Sequence, residues 1–479
     1  MWPSKTPLWT TDELKLLATS SLAPVEYISL NNLIERSENF NQIINFPIST
    51  IKCEELRQKV PEEILQRNID SVYPVLHEYS LLLYARFLLF KRKYGSNKEK
   101  ELYKNMTMEQ FVDRLLKCRA VIFVGIFDAY KLADGSSSML SDWSTVGTDK
   151  EHDLSILKCL SYDEIKMSAL LSVSSYTHFI NDGNRSNRGI YETDRSKIEE
   201  EGIIMGVIGP RCPKQGVMEQ QEIIVAKEQN TKENGYSSSK HSMPNLMLSF
   251  YEEPCSAYKK LKKEFSNEQK YVKLPNNWYF NNDAYAKRLA LSIDTILIEA
   301  NDRAKLKNTF AYVHVVGIGL GVWKISPHQD EYFMKVFGDR LRCLGKQLHN
   351  ISDTCFAYIK SSKLGEYENG DLLPIEDHPL HGIKIHIENR EPHKKLSGES
   401  KEKLLVVTFA WDGNSLPGNE FWWGQLTSSS DPAAACSTQV AELHNAHINP
   451  GLCACNLRIA TLDKGLVKFN DYQKQIKMK

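Results

Sequence analysis

The chain has 479 residues, 42% of them apolar and 25% charged, and its 60 Lys and Arg balance 60 Asp and Glu. That length leaves room for two or three domains, and the composition supports a packed core. A net charge of zero offers no basic excess to draw the chain to nucleic acid or an anionic membrane, and the longest apolar stretches, 80–90 and 120–127, are too short to cross a bilayer.

Met1-Trp2-Pro3-Ser4-Lys5 lacks the apolar core of a signal peptide, and ten cysteines occur with no paired framework and no CxxC. Free thiols in a cytoplasmic, reducing compartment are expected. Residues 1–130 read as a helical N-terminal region. Within it, 61–94 is dense in Leu, Ile and Tyr, kinked or broken at Pro74, and closed by Lys91-Arg92-Lys93. Residues 108–120 form a second amphipathic segment that Thr107 can cap. The stretch 131–154, rich in Gly, Ser, Asp and Thr, reads as a linker and domain boundary.

From 155 to 479 strand and helix patterns alternate, which predicts an α/β domain. Residues 202–208 read as a strand closed by Gly209-Pro210, 217–227 as a helix, and 228–242 as a polar, mobile excursion. Residues 281–301 and 329–348 read as helices, and 309–316 as a buried strand. In 382–388, Ile383, Ile385 and Ile387 alternate with polar residues as on a half-exposed strand. The apolar run 404–410 reads as another buried strand, followed by a helix over 432–444.

Two glycine-rich connections carry the chemistry. The strand ending in Val316 runs into Gly317-Ile318-Gly319-Leu320-Gly321-Val322-Trp323, where alternating glycines let the backbone close on a diphosphate and Trp323 offers a flat face to a sugar. A plain tight turn with a core Trp explains that segment equally well when it is taken alone. The second connection holds Trp411-Asp412-Gly413-Asn414, Pro417-Gly418-Asn419-Glu420 and Ser428-Ser429-Ser430-Asp431-Pro432-Ala433. Together they suit one nucleotide diphosphate cradled by two loops.

Asp412, Glu420 and Asp431 have little use in binding an anion and point to catalysis. Asp431 before Pro432 also reads as a helix N-cap, and Asp412-Gly413 as a turn. Glu420 among Phe and Trp is the hardest to explain by structure, since an unpaired carboxylate against aromatics is costly. Arg211, Glu219 and Glu222 follow a third strand end, where they either shape an adenosine pocket or face solvent. The segment 181–189 is either a loop or a ligand rim. His378, His381, His386 and His393 lack metal-site spacing and sit on an exposed strand and its loops, so neither metal nor cofactor is expected. Cys453 and Cys455 read as packing residues on a strand. Cys436, with no histidine base in view, is a poor nucleophile.

These two loops resemble those of macrodomain-like ADP-ribosyl hydrolases, in the poly(ADP-ribose) glycohydrolase-like variant of the MavL type. The resemblance runs from about residue 170 to 458 and is sharpest at 313–323 and 411–450. It implies a three-layer sandwich, a mixed sheet with helices on both faces, preceded by the helical region. It assigns catalysis to Asp412, Glu420 and Asp431. ADP-ribose binding falls to Gly317, Gly319, Leu320, Gly321, Val322, Trp323, Asn414, Gly418, Asn419, Ser429, Ser430, Ala433 and Glu219. The helix beginning Asp431-Pro432-Ala433 lacks the paired glutamates of true poly(ADP-ribose) glycohydrolases, so removal of a single ADP-ribose is expected over cleavage of chains.

The implied partner is ADP-ribose or an ADP-ribosylated protein, ADP-ribosylated ubiquitin among the candidates, with no nucleic acid or membrane. Both an ordinary cytosolic enzyme and an effector secreted into a host cell fit. A non-catalytic ADP-ribose reader, docking a protein through its helical region, is the rival reading. A nucleotide-dependent transferase or dehydrogenase ranks last, because the glycine turn lacks an acidic residue about 20 positions on.

Overall fold

The computed structural model describes residues 2–19 and 27–477. Among these residues ten strands form one mixed sheet. In chain order they are β1 (Tyr73–His77), β2 (Leu171–His178), β3 (Glu201–Val207), β4 (Ala311–Val316), β5 (Ile351–Ala357), β6 (Leu372–Pro374), β7 (Gly382–Ile387), β8 (Leu404–Ala410), β9 (Arg458–Thr461) and β10 (Gly465–Lys468). Across the sheet the order is β6-β7-β5-β4-β8-β3-β2-β1-β9-β10.

Strands β7, β5, β4, β8 and β3 run parallel to one another, so their C-terminal tips emerge along one edge. Loops at such tips are where α/β sheets place ligands. β8 shows why the run 404–410 must be a strand. Leu404 and Val406 enter one hydrophobic cluster, while Leu405, Val407 and Phe409 enter another. A run apolar at every position is what a parallel strand covered on both faces requires.

Helices α1 (Glu78–Tyr94), α2 (Met108–Lys117), α3 (Asn282–Leu306), α4 (Gln329–Leu344) and α5 (Ser430–Ala435) follow from local signals. Thr107 and Gln110 close a capping box on α2, and Asn281 accepts from the Asp283 and Ala284 N–H groups at the start of α3. Leu289, Ile293, Ile296 and Leu297 of α3 pack with Phe333 and Phe337 of α4 under one face of the sheet. Leu83, Phe87 and Leu88 of α1 and Phe111, Val112 and Leu115 of α2 belong to the cluster on the other face.

Several expectations change. The segment 61–94 breaks into the helix Glu62–Asp70, the strand β1 and α1, with Pro74 inside β1 opposite Val173. A helix tolerates Pro poorly in its interior, whereas a strand takes it near its first residue. β1 lies between β2 and β9, and one hydrophobic cluster contains Leu16, Phe87, Trp143, Ile180 and Tyr472. The break at 131–154 in sequence character therefore does not coincide with a break in the core. That segment also carries a buried Trp143, packed edge-on to Phe123 at 4.6 Å.

The helix expected over 217–227 shrinks to Gln220–Ile223 before a short strand, Ile224–Val225. The polar run 228–242 is folded in turns that bury Tyr236, whose hydroxyl donates to Gln221 O. The helix expected over 432–444 is two short pieces, α5 and Val440–Leu443. Cys453 caps a 3-10 turn ahead of β9 and Cys455 lies within it, so neither is on a strand. No helix among the described residues is long and apolar enough to cross a membrane.

Candidate active site

A cleft of about 680 Å³ opens at the tips of β4, β5 and β8, within the size range of small-ligand sites. Its floor is Val316, Val407, Thr408 and Phe409. Gly317, Leu320 and Gly321 form one wall, and Ser430, Ala433 and Ala434 of α5 another. The rim consists of Gly183, Asn184, Arg185 and Ser186, with Tyr358, Lys360 and Glu391 beyond. The segment 181–189 is thus a cleft rim, laced to the α5 region by Asn187 Nδ2 donating to Ala433 O and Asn181 Nδ2 to Cys436 O. Arg185 and Lys360 bring positive charge to the lining, where a diphosphate would need it, while Lys324 there is paired with Asp330 at 2.6 Å. Tyr358 holds a positive φ of 60°, a strained conformation of the kind that collects at ligand sites.

The three acids meet beside this cleft, where Ala410 and Ser430 line it. Asp431 lies inside α5 and caps nothing; Ser429 is the N-cap. Its carboxylate reaches across to accept the Gly418 N–H at 2.7 Å and the Asp412 N–H at 3.1 Å. Asp412 Oδ2 accepts from Asn419 Nδ2 at 2.7 Å. Asp412 Oδ1 and Glu420 Oε2 are buried with no hydrogen-bond partner among the described residues. Burial, reinforced by the Glu420 charge, pushes the Asp412 carboxyl up to about 7. Burial raises Glu420, and burial with the Asp412 and Glu420 charges raises Asp431 well above the ordinary range. Carboxyl groups crowded out of water cannot all ionise together near neutral pH.

Buried arginines support the loop from behind. Arg119 donates to the carbonyls of Gly413, Ser168 and Leu115, and its guanidinium lies 4.1 Å from the Trp411 ring. With backbone oxygens as its partners, burial lowers it to about 9. Arg211 reaches the Asn414 side chain and also pairs with Glu219 at 2.9 Å. Arg119 stands in sequence between Leu115-Leu116 and Ala120-Val121, and a charge inside an apolar run was the one signal of it.

Other residues assigned to the ligand by sequence take different places. Glu219 is enclosed by Arg211 and Arg288, and Glu222 pairs with Lys166 at 2.7 Å, so neither faces the cleft. Gly319 underlies the turn. A Cβ there would sit 2.9 Å from Pro210 O, and one on Gly209 would sit 2.3 Å from Gly319 N. Both glycines serve the close approach of two backbones. Val322 points to solvent, and Trp323 packs against the core. Asn414, Gly418 and Asn419 are buried in the acid loop and do not line the cleft; of Ser429 and Ser430, only Ser430 does.

Gly317, Leu320, Gly321 and Ala433 do line it. His378 and His393, expected on an exposed strand and its loops, are buried against backbone carbonyls, and burial lowers both. Cys436 is buried, with its thiol pushed up to about 12. Tyr358, Lys360 and Glu391 carried no signal in the sequence, because they reach the cleft from separate connections.

Carboxyl groups raised by burial beside a ligand-sized cleft are the equipment for splitting a glycosidic bond, and the protein is a hydrolase. The chain belongs to the MavL-like ADP-ribosylhydrolase family, whose model matches residues 31–475. Two proteins of Drosophila melanogaster are similar along most of their length. ADP-ribosylarginine hydrolase CG3568 is 41% identical over 426 residues, 86% of this chain and 82% of the relative. ADP-ribosylarginine hydrolase CG2909 is 38% identical over 472 residues, 94% of this chain and 90% of the relative.

Proposed function

We propose that the protein removes single ADP-ribose units from arginine side chains of modified proteins. The observation that carries this reading is the contact of Asp412 with Asp431 and Asn419 beside the cleft, with burial and then the Glu420 charge raising the Asp412 carboxyl. The arginine linkage comes from the names of the two relatives. ADP-ribose would lie across the tips of β5, β4 and β8, its diphosphate at Gly317–Gly321 near Lys324 and Arg185, and its distal ribose toward the acids. The sheet covered on both faces supports a macrodomain-like, three-layer sandwich. All cleft-lining residues fall within 155–479, which supports assigning ligand binding to that part and support of the acid loop to residues 1–130.

Hydrolysis breaks the bond between the anomeric carbon and the guanidine nitrogen. Water supplies a hydroxyl to the carbon and a proton to the released guanidine. Burial raises both Asp412 and Glu420, and the Glu420 charge works against ionisation of Asp412, so the two are disfavoured from ionising together. The ionised member takes the proton from water and stabilises positive charge at the anomeric carbon, and the protonated one supplies a proton to the leaving nitrogen. Asp431 holds the backbone of Asp412 and Gly418 in place for this. The test is release of ADP-ribose from proteins carrying it on arginine, ADP-ribosylated ubiquitin included, beside serine- and glutamate-linked controls. Release from the controls but not from arginine would overturn the linkage.

A further inference from the structure

Four large apolar side chains reach the surface from one small element. Ile122–Val124, Ala129–Lys131 and Ser137–Ser138 form a three-stranded antiparallel sheet. Ile126 and Phe127 stand at its first turn, and Met139 and Leu140 follow its third strand, all between 61% and 77% exposed. The Ser141 N–H donates to Phe127 O at 3.0 Å, and the Ser141 hydroxyl donates to Asp128 O at 2.8 Å. These bonds hold the two pairs on neighbouring segments, and exposed apolar side chains grouped in this way mark binding sites more often than scattered ones do.

The same element is fastened to the acid loop. The Phe123 N–H donates to Asn419 Oδ1 at 2.9 Å, while Asn419 Nδ2 donates to Phe123 O and to Asp412 Oδ2. The Leu416 N–H donates to Ala120 O at 2.7 Å. Phe123 and Ile126 are three residues apart, which is at most about 10 Å of chain. An arginine side chain holds its own backbone about 7 Å from a group bonded to its guanidine. A polypeptide whose modified arginine has its scissile bond at Asp412 and Glu420 can therefore reach the apolar side chains within a few residues.

We propose that Ile126, Phe127, Met139 and Leu140 form the docking surface for the polypeptide of the substrate, receiving apolar residues that flank the ADP-ribosylated arginine. The proposal rests on the hydrolase reading above. The face would contribute to affinity for modified proteins and nothing to affinity for ADP-ribose, since none of its residues lines the cleft.

The test is the double variant Phe127→Ser, Leu140→Ser in the full chain, assayed on an ADP-ribosylarginine protein and on free ADP-ribosylarginine. Both side chains are exposed, so the fold should tolerate the change. The expected result is a KM for the protein raised about tenfold or more, as when apolar anchors leave an interface, with free ADP-ribosylarginine cleaved as before. Equal losses on both substrates, or none on either, would overturn the proposal. Self-association that vanishes in the variant without a change on the protein substrate would give the face to a second copy and also overturn it. Cleavage of free ADP-ribosylarginine by the wild type checks the hydrolase reading separately. Were it absent, the affinities of wild type and variant for the modified protein, each relative to free ADP-ribose, would make the same comparison.

Discussion

Replacing Asp412 by Asn should stabilise the protein at alkaline pH while removing most of its activity. The Asp412 carboxyl is pushed up to about 7 from an ordinary 3.8, first by burial and then by Glu420. A raised acid favours its protonated form in the fold. Its contribution is fully present below the unfolded value and is lost as pH rises through about 7. The difference between 7 and 3.8 corresponds to about 4 kcal/mol. Residual exposure of the side chain and relaxation of the loop reduce that to about 1–3 kcal/mol.

Asn cannot ionise, so the gap in unfolding free energy between variant and wild type should be near zero at pH 4 and open through pH 5–7. Above pH 8 it should settle at its full value in favour of the variant. Urea titrations at pH 4.5 and 8.5 measure it. Turnover of arginine-linked substrate should fall about 10²–10⁴-fold. The wild-type rate should show an inflection near pH 7 belonging to the carboxyl cluster as a unit. A variant less stable than wild type at pH 8.5, or altered equally at both pH values, would refute the crowding of these acids.

Gly321→Glu should abolish ADP-ribose binding in calorimetry without lowering the melting temperature. The position lines the cleft with open space around its Cα, and the new charge would oppose the diphosphate. Gly319→Ala, by contrast, should lower the melting temperature, because its Cβ meets Pro210 and its φ is 76°. Asp431→Ala should cost about 2–4 kcal/mol in denaturant titration, since it strands the N–H groups of Gly418 and Asp412 in the interior. A chain starting near residue 155 should fail to fold as judged by near-UV circular dichroism, because it leaves β2 and β9 without the strand that joins them.

Local chemistry made much of the architecture legible. The run 404–410 is apolar at every position and so had to be a strand covered on both sides. Asn281 and Thr107 carry side chains that satisfy free helix N–H groups, and both helices begin where those residues stand. Conformations settled by neighbours far along the chain were hidden. Residues 73–77 look helical beside α1, yet they become β1, because β2 and β9 offer ladders on both sides that repay an extended backbone.

The site divides in the same way. Crowding of Asp412, Glu420 and Asp431 within 20 residues could be read along the chain, as could the glycines that let two loops approach. Asp431 as a clamp on Gly418, Glu219 as the partner of two arginines, and Arg185, Tyr358 and Lys360 at the rim depend on contacts between distant segments. A side chain's type limits the bonds it can make. Burial and neighbours, which exist only after the sheet has assembled, choose among those bonds and set the charge that each acid carries.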